Sequence, residues 1–162
     1  LEKGTTFRVY LPVSDRAEDV NEPAAEPLVV GGTETILVAD DHDGMREMTR
    51  EMLHKLGDRV VVARDGEEAV REFAASPERI ALLLLDAIMP RLSGPDAYEK
   101  IARDNPELPV IFTSGHLDEA APLAPILGKR AILLQKPYTP KLLGRKVREL
   151  LDRNPSFPAG RA

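Results

Sequence analysis

The sequence predicts an α/β domain, a five-stranded parallel sheet covered by helices on both faces in a three-layer sandwich, and two observations carry that reading. Runs such as ILVA at 36–39 and IALLLL at 80–85 are apolar at every position, the pattern of strands buried on both sides. Between these runs, apolar residues recur at the three- and four-residue spacing of amphipathic helices.

The elements follow in order from residue 35. Ile36 to Ala39 ends in Asp40 and Asp41; Met45, Met48, Met52 and Leu56 then recur at helical spacing and Gly57 closes the helix. On this spacing the methionines form a stripe that packs into the core. Asp43 and Asp65 are the expected helix caps. Val60 to Ala63 is the second strand, followed by a helix from about Gly66 with Val70 and Phe73 on one face. Ile80 to Leu85 stops at Asp86; a third helix spans about Pro95 to Asn105, where Tyr98 packs; Pro109 to Phe112 ends at Thr113 and Ser114. A weak fourth helix is expected over 117–128, interrupted by Pro122 and Pro125. Ala131 to Leu134 is the fifth strand, and Pro140 to Leu151 the fifth helix, with Leu143, Val147 and Leu150 inward.

Outside this region the pattern is different. Residues 1–13 end in one alternating stretch, Thr5 to Val13, which a lone strand cannot stabilise, so it reads as the end of a preceding domain. Residues 14–34 mix charge, alanine, proline and glycine without a period and read as a linker; 35–152 is the domain and 153–162 a tail.

Composition narrows the chemistry. Of 162 residues none is cysteine, which excludes disulfides, thiolate nucleophiles and cysteine-held metals and fits a reducing cytoplasmic compartment. The net charge of -5 does not favour nucleic-acid backbones, and no stretch approaches the roughly 20 apolar residues needed to span a bilayer, so neither nucleic acid nor direct membrane contact is expected. The basic run Lys141, Arg145, Lys146, Arg148 and Arg153 reads as a solvated helix face.

Ligand sites in such sheets lie beyond the carboxyl ends of the strands. The residues there are Asp40 and Asp41, Asp86, Thr113 with Ser114, and Lys136. Clustered carboxylates need a cation, and without cysteine a hard divalent ion held by oxygens is the natural one. Mg²⁺ takes only one or two carboxylates, which leaves Asp86 able to attack phosphorus and form an acyl phosphate. Lys136 and the Thr113 hydroxyl would then face the charge that develops on the phosphoryl oxygens.

Four ordered motifs make the resemblance specific: ILVADD with its acid pair, LLLLDAIMPRLSG with Asp86, Met89 and Pro90, VIFTSGH with Thr113, and LLQKPY with Lys136 and Pro137. Over about Thr35 to Asp152 the chain resembles a response-regulator receiver domain of the two-component signalling family. That resemblance implies the flavodoxin-like receiver fold with strand order 2-1-3-4-5, a cis peptide before Pro137, and phosphoryl transfer from a phosphohistidine onto Asp86 followed by hydrolysis. It implies that Mg²⁺ is held by Asp41, Asp86 and the main-chain carbonyl of Ile88, with Asp40 acting indirectly through water. KGTTFRVYLPV is similar to the last strand of a histidine-kinase ATP-binding domain, which implies a hybrid histidine kinase whose remaining parts, membrane-anchored or not, lie upstream. Its partners would be a dimerisation and phosphohistidine domain and a histidine phosphotransfer protein, while the stretch in hand has no ATP site.

Two departures shape the expectations. Ile88 and Gly115, at positions that tune hydrolysis in the resembled family, cannot orient a water, so slow loss of phosphate is expected. Leu133 stands where receivers commonly carry an aromatic switch residue, so the larger response is expected around Ser114 to Leu127. Competing readings are a haloacid-dehalogenase-type phosphatase, which Met45 in its motif and the short chain argue against, and a receiver-like interaction module that no longer accepts phosphate, which the retained acids and lysine argue against. His42, His54 and His116 have no metal-ligand spacing and read as surface residues.

Overall fold

A computed structural model describes residues 8, 10, 32–115, 123, 126–128 and 130–153. Five strands, β1 (Thr35–Ala39), β2 (Arg59–Ala63), β3 (Ile80–Asp86), β4 (Val110–Ser114) and β5 (Ala131–Gln135), pair in parallel in the order β2-β1-β3-β4-β5. That is the predicted flavodoxin-like arrangement. The helices are α1 (Asp43–Lys55), α2 (Gly66–Ala75), α3 (Gly94–Ala102) and α4 (Pro140–Asp152), with a 3₁₀ turn at Pro77–Arg79. Most of the helix expected over 117–128, His116, most of the N-terminal strand, most of the linker and most of the tail fall outside the described residues.

Alternate strand residues feed two cores, because successive side chains point to opposite faces of a sheet. Leu37, Ala39, Leu83, Leu85, Val110 and Phe112 join Ala69 and Phe73 of α2 and Ala97 and Ile101 of α3 on one side. Ile36, Val38, Leu82, Leu84 and Ile111 join Leu53 of α1 and Leu143, Val147, Leu150 and Leu151 of α4 on the other. Burial on both faces is what made these strands continuously apolar. Tyr98 packs as expected, edge-on to Phe112 with ring centroids 5.7 Å apart.

Helix α1 corrects two expectations. Its buried face is Thr49 and Leu53, while the methionine stripe lies at the margin: Met52 packs only partly on the core and Met48 is 36% exposed. Thr49 can be buried because its hydroxyl meets the Tyr138 hydroxyl at 2.7 Å, a hydrogen bond that hydropathy does not show. The helix cap is His42, whose Nδ1 accepts from the Met45 amide at 3.3 Å, not Asp43. Asp65 caps α2 as expected, and Ser93 and Thr139 cap α3 and α4.

Arg148 also departs from the solvated face assigned to the basic run. Its guanidinium lies between Glu34, just before β1, at 3.0 Å and Asp58, just before β2, at 3.1 Å, where all three side chains are largely withdrawn from water. Burial, opposed by Arg148 and reinforced by the negative charge of Glu34, pushes the Asp58 carboxyl up to about 6 from 3.8. Burial would raise Glu34 too, but its hydrogen bonds with Arg148 and the backbone outweigh that and hold it below the usual range. One arginine thus serves two acids unequally.

The folded protein retains a proton on Asp58 that the unfolded chain releases, so stability falls as pH rises through 3.8 to about 6, and the cost is complete above that window. Asp58→Asn removes the charge and keeps a hydrogen-bonding group for Arg148. From pH 4 to pH 7.5 the unfolding free energy of Asp58→Asn should rise relative to wild type by on the order of 2–3 kcal/mol. Urea titrations across that range check it, and a constant difference would contradict it.

Candidate functional site

Strand register assembles the site. Ala39 pairs with Leu85, which sets Asp40 beside Asp86 at the strand ends, and Asp86 pairs directly with Thr113. Beyond the ladder, the Ala87 amide donates to the Thr113 carbonyl at 2.8 Å and the Lys136 amide to the Ser114 carbonyl at 2.8 Å. Asp40, Asp86, Thr113 and Lys136 have the strand parity of the core residues that face α1 and α4, so their side chains leave the sheet on one side. The Lys136–Pro137 peptide is cis.

The side chains meet accordingly. Asp40, Asp41 and Asp86 each offer an oxygen within 4.8 Å of the others. Lys136 Nζ donates to Asp40 Oδ2 at 2.8 Å and stands 3.0 Å from Asp86 Oδ2. Asp40 is buried, Asp86 half-buried and Asp41 exposed, so the cluster grades from protein interior to solvent. Asp40 is held further by the His42 amide, which donates to its Oδ1 at 2.9 Å, and by Arg46, whose guanidinium reaches the Asp40 carbonyl at 2.8 Å.

Electrostatics distinguish the partners. Burial raises the Asp86 carboxyl above the usual carboxylate range; Lys136 opposes this, while the charges of Asp40 and Asp41 add to it. For Lys136, burial alone would lower the ammonium, but its hydrogen bonds with Asp40 and Asp86 more than offset that and raise it. The ammonium is satisfied and the carboxylate is not, because one ammonium pairs with Asp40 and Asp86 in a cluster of three carboxylates. Two negative charges remain, the complement of a divalent cation.

Thr113 supplies a second deficit. It is 0% exposed, and its Oγ1 is the one buried side-chain polar atom without a hydrogen-bond partner among the described residues. Such an atom costs roughly 1–3 kcal/mol unless something arrives to pair with it. It lies next to Asp86 in the register.

The response regulator receiver domain family matches residues 36–148. The chain belongs to the response-regulator receiver family.

Among curated relatives of this receiver domain, the sensor kinase CckA of Brucella abortus is 28% identical over 159 residues, covering 93% of this chain and 17% of that protein. The sensor protein EvgS of Escherichia coli K12 is 33% identical over 109 residues, 66% of this chain and 9% of that protein. The chain therefore spans less than a fifth of these two relatives. Among solved structures, the receiver domain of the hybrid histidine kinase CckA is 31% identical with TM-score 0.61, covering 72% of this chain and 98% of that one. Response regulator TrrA of Thermotoga maritima, in complex with Mg(2+)-BeF, is 28% identical with TM-score 0.66, covering 74% and 100%.

In this receiver the remaining candidates are placed differently. Ile88 extends its side chain into solvent, 59% exposed, so any part it has in the site belongs to its main chain. His42 caps α1 and His54 is exposed. Leu133 is half-buried against the α2–α3 core. Most of 114–127, where the larger response is expected, lies outside the described residues. Sequence reasoning missed Arg46 and Tyr138, which brace Asp40 and α1; nothing local marks them, since their partners are a carbonyl and a threonine fixed by the fold. No described helix is long and apolar enough to cross a membrane.

Proposed function

We propose that this receiver takes a phosphoryl group from a phosphohistidine onto Asp86 and later releases it by hydrolysis, as one step of a two-component phosphorelay. The observation that carries the reading is the doubly incomplete site: two uncompensated negative charges around Asp86 and an unpaired buried hydroxyl beside it. Both deficits are met by Mg²⁺ and a phosphoryl group together, and by neither alone.

The donor set fits Mg²⁺, a hard cation that takes one or two carboxylates and keeps waters. Asp41, Asp86 and the Ile88 carbonyl would hold it, with Asp40 acting through water. When bound it would neutralise charge on the phosphoryl oxygens. The Asp86 carboxylate attacks phosphorus in line; the new P–O bond forms as the P–N bond to the donor imidazole breaks, and that nitrogen keeps the electron pair. Lys136 and Thr113 stabilise the transferred group by donating to its oxygens. In hydrolysis a water attacks phosphorus, Asp86 leaves as carboxylate and the water proton goes to phosphate. Ile88 offers no polar group to direct that water, which favours a long-lived phosphoryl state. The Mg(2+)-BeF complex of TrrA, a receiver relative, supports the same pairing of cation and phosphoryl mimic here.

The parent protein fits a hybrid histidine kinase acting in the cytoplasm. Similarity to the sensor kinase CckA runs over 159 residues, well beyond the receiver match at 36–148, and supports residues 1–13 as the end of a kinase ATP-binding domain. Similarity to the sensor kinase CckA and the autoinducer 1 sensor kinase/phosphatase LuxN supports a phosphohistidine-bearing kinase domain as donor; a histidine phosphotransfer protein is the onward partner in this reading.

A small-molecule phosphodonor with Mg²⁺ should add the mass of one phosphoryl group, on the peptide containing Asp86, with an acyl phosphate's sensitivity to hydroxylamine. Chelating the metal should abolish the adduct. An adduct on any other residue, or one unaffected by chelation, overturns the reading.

A further inference from the structure

The loop between β3 and α3 carries Ile88, and the structure secures it at both ends. At its start the Ala87 amide is held by Thr113, and the Ala87 carbonyl accepts from the Gly94 amide at 3.3 Å. Gly94 has no room for a side chain, since a Cβ there would lie 2.2 Å from the Asp86 carbonyl oxygen. At its far end the Leu92 carbonyl accepts from the Gly66 amide at 3.2 Å, and a Cβ on Gly66 would lie 2.3 Å from that oxygen. The first turns of α2 and α3 thus close directly on the loop.

Between those ends stands Arg91, the described non-glycine residue with positive φ, at 65°. That conformation costs an L-residue about 1–2 kcal/mol unless its surroundings enforce it. What holds it is Asp65. This carboxylate is 2% exposed and divides its oxygens: Oδ1 accepts from the Glu68 amide at 2.8 Å as the cap of α2, and Oδ2 receives the Arg91 guanidinium. Glu67 adds a second carboxylate 4.0 Å from Arg91. A cap needs no arginine, and a buried carboxylate is a costly place to anchor a surface loop.

We propose that the Asp65–Arg91 pair is a positioning device for the cation site: by fixing the loop from the far side, it holds the Ile88 carbonyl in place as a metal ligand. This rests on the Mg²⁺ reading above. Neither residue touches the acid cluster; they act through the short stretch from Ile88 to Arg91, of which Met89 is buried in the core.

The geometry gives the proposal a signature that general destabilisation does not share. Mg²⁺ demands near-ideal octahedral geometry, whereas Ca²⁺ accepts flexible coordination. Loosening one carbonyl should therefore weaken Mg²⁺ more than Ca²⁺. Calorimetric titration of both ions into the full chain tests this in wild type, Asp65→Asn, Arg91→Gly and Arg91→Lys. Asparagine keeps the α2 cap, and glycine adopts the positive φ freely, so each removes the ion pair without breaking its own local structure. Mg²⁺ affinity should fall about 10-fold in Asp65→Asn and Arg91→Gly, the scale of losses seen when a ligand's support is removed, with a smaller fall for Ca²⁺ and partial recovery in Arg91→Lys. If Arg91→Gly does not fold, Asp65→Asn carries the same comparison. Unchanged Mg²⁺ affinity, or equal loss of both ions, overturns the positioning role. A wild-type chain that binds no Mg²⁺ overturns the reading of the acid cluster itself and the positioning role with it.

Discussion

Asp86→Asn should lose phosphoryl uptake altogether while the protein it leaves behind becomes more stable. The first half follows from chemistry: an amide oxygen has neither the charge nor the nucleophilicity of a carboxylate, and no neighbour can replace it. Asp40 is buried and tied up by Lys136 and the His42 amide, and Asp41 is exposed to water. The second half follows from the electrostatics. Burial and the charges of Asp40 and Asp41 outweigh the help of Lys136, so the ionised Asp86 is a net liability in the metal-free fold. Removing that charge should raise stability by on the order of 1 kcal/mol, or about 4 °C in melting temperature. Mass measurement after exposure to a phosphodonor and thermal unfolding without divalent cations check the two halves. An Asn variant that still takes up phosphate, or that melts lower than wild type, would contradict the site as described. Adding Mg²⁺ should reverse the ranking, because wild type gains a ligand that the variant holds less well.

Lys136→Ala should produce the largest opposed effects of any single change in the site. Without the ammonium, three carboxylates face one another with no cation, and the buried Asp40 loses its partner. Breaking a buried pair from one side costs about 3–5 kcal/mol, and the open rim beside Asp41 should keep the loss at the lower end. The raised lysine contributes fully below the ordinary lysine range and loses its effect only as pH rises through its folded value, so neutral pH shows the whole loss. Mg²⁺ affinity should hold or increase, since no ammonium in the acid cluster now repels the incoming cation, and Asp41→Asn should move it the other way. Phosphoryl uptake should still fall by about 10²–10³-fold, the usual loss when one donor aimed at developing charge is removed. Thermal unfolding with and without Mg²⁺, metal titration and uptake rates separate these outcomes. A parallel loss of metal affinity in Lys136→Ala and Asp41→Asn would show that the lysine supports the metal instead of the phosphoryl group.

The two variants should pull stability in opposite directions from neighbouring side chains. In a site tuned only for stability, removing either member of an ion pair would destabilise. Here the imbalance between acids and base leaves the site under electrostatic strain, which a divalent cation would relieve.

The sequence by itself determined the sheet, the strand ends and the acidic cluster gathered at them. Continuous apolar runs can satisfy themselves only as doubly covered parallel strands, and in that architecture polar residues that end strands must gather on one rim. Asp40, Asp41, Asp86, Thr113 and Lys136 were legible for that reason, although as many as 45 positions separate neighbours among them. Tertiary structure decided whatever depends on which surfaces meet. Periodicity alone could not choose between the Met45–Met48–Met52 stripe and the Thr49–Leu53 face, because the hydroxyl that lets Thr49 face inward is on Tyr138, 89 positions away. Nor could the basic run reveal that Arg148 turns inward to two acids from the starts of other strands. Arg91 joins Asp65 across 26 positions, and the strand register leaves the Thr113 hydroxyl unpaired beside Asp86. Hydropathy reports what a residue avoids, and only the packed chain reports which partner it finds.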